Sequence, residues 1–382
     1  MKDHNKGDYL FEVSWEVCNK VGGIYTVVRT KAPSAVEHYG DNYVLIGPDV
    51  GNNPEFQETE EKLFGALNNH VEARGLHCRC GRWNIPGRPR VVLVRANNKY
   101  KTDELLYKLW MDYGVDSMAG GRDYIEPVLF GTAAGEVIEL LYELMVETGK
   151  GDGAVAQFHE WMSAAGMLYL KKEKPSIATV LTTHATMLGR SLAGSGYDIY
   201  RNMEEISPIE AAARMNIRAK HSMETVAARE TDCFTTVSEI TAREASHFLR
   251  RTPDVILPNG IYDKDILESG ELIKLKQQKR DVLMTFASKF LQKNLAAEST
   301  RILIISGRYE FHNKGIDLFL ESLQHVNATM KKSGRKETIV VLLSVIGGHV
   351  GVSEEVQQIL KGEQVQLTGV ARICTHRLHD SK

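Results

Sequence analysis

The chain has 382 residues, 43% of them apolar and 25% charged, with a net charge of −2. That length bounds it at two or three domains with room for a sizeable core. The charge balance argues against a nucleic-acid or anionic-membrane surface and leaves a neutral substrate open. Five dispersed cysteines (Cys18, Cys78, Cys80, Cys233, Cys374) do not make a disulfide framework. "HCRC" (His77 to Cys80) lacks a second ligand pair, and strand alternation puts Cys78 and Cys80 on one face, so no metal site is expected. The polar N-terminus carries no signal-length apolar run, and no segment reaches the ~20 apolar residues of a membrane helix. A cytoplasmic protein with reduced thiols is expected.

In chain order, "YLFEVSWE" (Tyr9 to Glu16) predicts a strand, followed by a glycine pair and an amphipathic stretch to His38. "NYVLIGPD" (Asn42 to Asp49) is a second strand. Leu76 to Arg95 reads as a hairpin turned at Asn84 to Gly87. Ile125 to Thr148 has helical apolar spacing. Strands are predicted at Ala154 to Phe158, Ile177 to Leu181, Cys233 to Val237 and Val255 to Leu257, with helices between them. This alternation predicts an α/β domain, a parallel sheet covered on both faces. It closes at "LPNGI" (Leu257 to Ile261). A charged helical span, Asp263 to Leu295, leads to a new strand, "TRILIISGRYEF" (Thr300 to Phe311). "KGIDLFLESLQHV", "ETIVVLLSVI" and "SEEVQQILKG" then supply a helix, a strand and a helix. Two strand–helix units are too few for a doubly wound sheet, so the second domain reads as incomplete. The domains are placed at 1–260, 261–299 (helical connection) and 300–382.

Open α/β sheets bind ligands at the carboxyl ends of their strands. "NKVGG" (Asn19 to Gly23) follows the first strand. Gly22 and Gly23 would let the backbone approach a phosphate, a helix N-terminus follows, and Lys20 adds charge; a plain glycine turn is the alternative. His159, Glu160 and Trp161 follow the "AVAQF" strand and suit either a sugar's hydroxyls and ring face or a helix start with a packed Trp. "TTHATMLGR" (Thr182 to Arg190) places His184 and Arg190 at the next strand end, where a guanidinium fork suits a diphosphate. Ser238 is expected to cap a helix. In "GRYEFHNKG" (Gly307 to Gly315), Arg308 and Lys314 would face the first domain across a cleft. With Lys20 and Arg190 they would make a cationic pocket for a pyrophosphate-containing ligand. G-x-G-x-x-G does not occur, which weighs against a nicotinamide cofactor.

"FEVSWEVCNKVGGIYTV", "AQFHEW", "TTHATMLGR", "FTTVSEIT", "PNG", "GRYEFHNKG" and "CTHRLHD" stand in the order seen in the animal, fungal and Bacteroides-like glycogen synthases (glycosyltransferase family 3). The chain resembles this family over nearly its whole length. The resemblance implies a GT-B fold, two Rossmann-like domains facing a cleft, with the second incomplete here. It implies retaining transfer of glucose from UDP-glucose to the non-reducing 4-hydroxyl of an α-1,4-glucan, with no cofactor and no metal. It assigns donor binding to Lys20, Gly22, Gly23, His184, Arg190, Arg308 and Lys314, and catalysis to the last four. His159, Glu160 and Trp161 are placed on the acceptor side. The partners implied are the nucleotide sugar and the glucan, with neither nucleic acid nor membrane; oligomeric state and the choice of UDP- or ADP-glucose stay open. The family's Glu-containing loop that binds donor ribose and glucose falls beyond "CTHRLHDSK". The resemblance therefore implies either a piece of a longer enzyme or a truncated, inactive glucan- or nucleotide-binding remnant. The segment after "PNG" lacks the His pair of the eukaryotic glucose 6-phosphate site, and the eukaryotic helical insert is missing, so a bacterial-type member without that activation is expected.

Overall fold

The computed structural model describes residues 7–96, 99–149, 151–363, 365–367, 369 and 373–379. These fall into two compact units: Met1–Ala193 with Tyr197–Tyr262, and Gly194–Gly196 with Asp263–Lys382.

The first unit runs β1 (Tyr9–Val13), α1 (Gly23–Tyr39), β2 (Tyr43–Pro48), β3 (Phe56–Glu58), α2 (Lys62–Ala73), β4 (His77–Trp83), β5 (Arg90–Arg95), α3 (Thr102–Tyr113) and α4 (Arg122–Thr148). It continues with β6 (Ala154–His159), α5 (Ala164–Glu173), β7 (Ile177–Thr183), α6 (Met187–Gly194), α7 (Pro208–Arg214), α8 (Arg218–Glu230), β8 (Cys233–Thr236), α9 (Glu239–Phe248) and β9 (Val255–Ile256). Its nine-stranded sheet has the order β3-β4-β5-β2-β1-β6-β7-β8-β9. Strands β5-β2-β1-β6-β7-β8-β9 pair in parallel, and β4 pairs antiparallel with both β5 and β3. The parallel part arises because crossover helices cover both faces, so its strands are largely buried; all six residues of β2 are buried. The predicted hairpin is the antiparallel β4–β5 pair, and Cys78 and Cys80 both point into the core. Ser238 caps α9, its hydroxyl accepting from Thr241 N at 3.1 Å.

The strand order matters for function. From β1 the chain first builds outward through β2 and β5, then returns to β6 on β1's other side. The β1/β6 boundary is thus a topological switch point, where crossovers leave toward opposite faces and open a crevice at the strands' carboxyl ends. Registry sets the ends side by side: Val13 pairs with Phe158, and His159 with Thr182.

Helices α4 and α5 lock this part of the core through glycines. A Cβ built on Gly166 of α5 would run into the backbone carbonyl of Gly131 on α4, and Gly135 is packed against Tyr169 and the Gly166 carbonyl. In an open helix, Gly→Ala stabilises by about 1 kcal/mol through propensity. Here the obstacle is backbone, which cannot swing away. Gly166→Ala is expected to destabilise the unit by ~1–3 kcal/mol, read as a lower urea midpoint at unchanged m-value. An unchanged or raised midpoint would contradict the close approach.

The second unit contains α10 (Ser269–Leu291), β10 (Thr300–Arg308), α11 (Ile316–Lys332), β11 (Thr338–Ile346), β12 (His349–Val352), α12 (Glu354–Lys361) and β13 (His376–Leu378). β10 and β11 form a two-stranded parallel sheet in register from Thr300↔Thr338 to Arg308↔Ile346. Leu303, Ile304, Leu343 and Ile346 on these strands are exposed. β12 and β13 pair antiparallel.

Candidate functional site

Glu12 lies in the middle of β1 and is fully buried. An acid inside an apolar strand costs several kcal/mol unless it is paired and hydrogen-bonded. Here it is both. Lys31 Nζ from α1 lies 2.6 Å from Glu12 Oε1, the Tyr43 hydroxyl of β2 donates to Oε2, and His159 Nε2 at the end of β6 lies 2.7 Å from Oε1. Burial alone would raise its pKa, but Lys31 and the His159 hydrogen bond outweigh it and hold the carboxyl at about 2. His159 then meets His184, Nδ1 to Nε2, at 2.9 Å. Lys31 also donates to Gln157 Oε1 at 2.8 Å, and Gln157 donates to Thr182 Oγ1 at 2.8 Å. A continuous polar network therefore crosses the switch point from β1 through β6 to the end of β7.

Glu160 follows β6 with φ +64°, a conformation most side chains avoid. Its amide still donates to Thr182 O at 2.9 Å. Its carboxylate Oε1 accepts from the backbone of His184 at 2.8 Å and of Ala185 at 3.2 Å. Burial pushes this carboxyl up to about 7, against the two N–H groups and the charge of Arg190, while Glu16 adds to the rise.

Two more acids complete the collar around this loop and the start of α6. Thr186 caps α6, its Oγ1 accepting from Gly189 N at 3.1 Å and donating to Glu244 Oε2 at 2.6 Å. Glu224 of α8 accepts from Met187 N at 3.0 Å. Its burial, then the nearby Glu160 and Glu244, drive the Glu224 pKa well upward. The loop that presents His184 is thus pinned by side chains from α8, α9 and the β6 end. Arg190 lies in the first turns of α6, its amide bonded to Thr186 O at 3.0 Å.

Of the residues singled out from sequence, the structure joins His159, Glu160 and His184 directly and seats Arg190 on the adjoining helix. Trp161 is a correction. It is 6% exposed, stacked on Tyr124 with centroids 5.9 Å apart, and has Lys220 Nζ 5.7 Å from its ring. It packs the core and offers no open face for a sugar. His159 is 2% exposed and contacts His184 rather than solvent.

The glycine loop after β1 is built around Glu16. Its Oε2 accepts from Gly22 N and Tyr25 N, both at 2.8 Å, so an acid of the chain itself takes amides that the sequence had suggested for a phosphate. Lys20 is exposed, with Nζ 5.6 Å from the Tyr25 ring centroid. Gly23 opens α1, with nothing within 4 Å of a Cβ placed there.

In the second unit the end of β10 and the loop after it carry the other two cations. Arg308 pairs with Glu310 at 3.0 Å. Lys314 is tied by its amide to Glu310 O at 2.9 Å, and its stem runs beside Gly307. Gly315, at φ +64°, makes the turn into α11. This strand end and its loop thus present both charges.

Sequence reasoning passed over Glu12, Glu16, Lys31, Glu224 and Glu244. Glu12 had a readable signal, an acid among apolar residues of a predicted central strand. Glu224 and Glu244 had none, since acids on helices are ordinary surface residues until the packing is known.

The family described as glycogen synthase matches residues 12–368. The chain is 36% identical over 344 residues to the glycogen [starch] synthase of Dictyostelium discoideum, covering 87% of this chain and 38% of that protein. It is 38% identical over 341 residues to the liver glycogen [starch] synthase of Homo sapiens, covering 87% and 48% respectively. With the Neurospora crassa glycogen [starch] synthase it is 34% identical over 372 residues, covering 94% and 51%. The chain thus spans about half or less of the length of these curated relatives. Among solved structures, the catalytic domain of starch synthase IV from Arabidopsis thaliana, bound to ADP and acarbose, is similar at 14% identity and a TM-score of 0.46, covering 94% of this chain and 71% of that one.

Proposed function

The chain belongs to the glycogen synthase family, and from that premise we propose that it contributes to retaining transfer of glucose from UDP-glucose to the non-reducing 4-hydroxyl of an α-1,4-glucan, in the cytoplasm. The observation that carries it is the meeting of His184 with the Glu12–His159 pair at the switch point, with Arg190 one helix start away. A sugar needs directional hydrogen-bond partners and a diphosphate needs fixed cations, and this strand end carries both.

His184 orients the donor glucose. Arg190, Arg308 and Lys314 neutralise the diphosphate, and Lys20 adds charge beside the glycine loop. As the bond from the anomeric carbon to the phosphate oxygen breaks, negative charge grows on the leaving group, and the fixed cations stabilise it most at that moment. The acceptor hydroxyl attacks from the leaving-group side. Its oxygen bonds to the anomeric carbon, and its proton passes to the departing phosphate. No cofactor is invoked; UDP-glucose enters as substrate. His159 and Glu160, first placed on the acceptor side, support the donor-facing loop here.

Calorimetric titration of the chain with UDP, run beside a glucose-transfer assay with a malto-oligosaccharide acceptor, tests the reading. Saturable UDP binding with transfer supports it. Binding without transfer limits the chain to nucleotide recognition. Neither binding nor transfer overturns it.

A further inference from the structure

Residues 307–317 join β10 to the first turn of α11 and carry Arg308 and Lys314, the two cations read above as diphosphate ligands. They also carry two acids, Glu310 and Asp317, so the fixed charges of the segment cancel. A segment without net charge is a weak partner for an anion. His312 breaks the tie, because its imidazole is the group of this segment that changes charge near neutral pH.

The geometry fixes which nitrogen His312 offers. Its Nδ1 lies 2.7 Å from Asp317 Oδ2, and the Phe311 ring meets the imidazole edge-on with centroids 5.3 Å apart. The hydrogen bond from His312 holds the Asp317 carboxyl below its usual value, so this carboxylate is ionised and can only accept. Nδ1 therefore carries a hydrogen whether the ring is neutral or charged. Nε2 is a lone pair in the neutral ring and an N–H donor in the imidazolium. A phosphate oxygen only accepts, so it pairs with the imidazolium alone. Backbone bonds close the loop around the pair: Lys314 N donates to Glu310 O at 2.9 Å, Gly315 N to His312 O at 2.9 Å and Ile316 N to Phe311 O at 3.0 Å. The His312 side chain keeps 45% of its surface, open to a ligand.

We propose that His312 is a further donor-binding residue, and that a nucleoside diphosphate is bound at this loop together with a proton taken up by His312. This rests on the reading above in one respect, that Arg308 and Lys314 hold the diphosphate. The charged groups around His312 are Asp317 of α11, Glu310 and Lys314 of the loop and Arg308 at the end of β10. Arg308 is matched by Glu310 at 3.0 Å. A charged His312 matches Asp317 in the same way and leaves the charge of Lys314 for the ligand. A neutral His312 leaves Asp317 to offset Lys314. By linkage, affinity falls as pH rises and His312 releases its proton, and bound ligand strengthens the hold of His312 on that proton.

Calorimetric titration with UDP-glucose, without glucan, at about pH 5.5 and about pH 8.5 tests the proposal on either side of the imidazole range. The diphosphate of this probe is esterified at both ends, so it lacks the terminal phosphate ionisation near pH 6 that UDP would add. Glu160, at about 7 beside Arg190, weakens anion binding over the same range, so the parent is read against His312→Ala. The parent should lose about tenfold more affinity than His312→Ala between the two pH values. At the higher pH the two proteins should bind alike. In ring-proton spectra, the signals missing from His312→Ala identify His312, and they should titrate at higher pH with UDP-glucose bound. An equal loss of affinity in both proteins overturns the proposal, as does a His312 titration unmoved by the ligand. Either result leaves the donor reading standing. No binding of UDP-glucose at either pH overturns the donor reading and this proposal with it.

Discussion

Replacing Lys314 or Arg308 with Ala is expected to lower glucose transfer about 10²-fold, the effect of removing ~3 kcal/mol of stabilisation from a charge that develops in the transition state. Arg308 ends β10 and Lys314 lies in the loop after it, and neither is deeply packed. Arg308 keeps 38% of its side-chain surface and is held by Glu310. Removing either should therefore leave the β10–β11 pair intact, and a far-ultraviolet spectrum unchanged from the parent would show it. The loss should fall mainly on kcat. Ground-state UDP-glucose already carries its diphosphate charge, so part of the attraction is uniform binding and appears in KM; the charge added as the anomeric bond breaks appears in kcat. His184→Ala should produce a loss of similar size by a different route, misorientation of the glucose, and should leave UDP affinity nearly unchanged. The contrast separates the two roles. Activity within twofold of the parent in His184→Ala or Lys314→Ala would remove that residue from the site.

How much of this was legible in the sequence depends on whether the signal was local. The alternation of β1, α1 and β2 could be read, because "NYVLIG" is a continuous apolar run and the glycines after β1 interrupt it. The cap at Ser238 followed from side-chain chemistry within one turn. What could not be read is whatever depends on pairing across the sheet. Glu12 finds His159 only because β1 and β6 are neighbours, a consequence of strand order across 147 positions of chain. Glu224 and Glu244 reach the α6 start from helices that were visible as helices but not as neighbours. Trp161 could be read from its position as either a sugar contact or a packed residue, and the ring of Tyr124, supplied by α4, stacks on it within the core. The glycine loop is intermediate. Its turn was legible, but Glu16, a few residues upstream, takes the amides of Gly22 and Tyr25, and nothing in the local pattern distinguishes that acid from a solvated one.

Glu160→Gln is expected to make the stability of the first unit less dependent on pH and to stabilise it above neutrality. The carboxyl rises from 4.5 in the open chain to about 7 in the folded unit. Below pH 4.5 it is protonated in both states and costs nothing. Between these values the folded state holds a proton that the unfolded state has released, so stability falls as pH rises through 7 and the deficit is complete above it. A difference of this size corresponds to about 3 kcal/mol. Gln carries no charge to bury, and its amide oxygen can accept the His184 and Ala185 amides that now share Oε1. The variant thus removes the titration while keeping the loop's hydrogen bonds. Other groups contribute with opposite sign, His184 below about pH 6.5 and Glu12 below about pH 4.5. His184 is held down to about 3, which costs stability as pH falls below its open-chain value, and Glu12, at about 2, loses its contribution in acid. Both are common to the two proteins and cancel in the difference. The measurement is therefore the gap in unfolding free energy between Glu160→Gln and the parent. It should widen by about 3 kcal/mol between pH 4.5 and pH 8 in favour of the variant. A gap that stays constant would mean that Glu160 is ionised in the folded unit at every pH tested. Its carboxylate would then sit as a fixed negative charge beside Arg190, and the cation offered to the diphosphate would already be matched from within the chain.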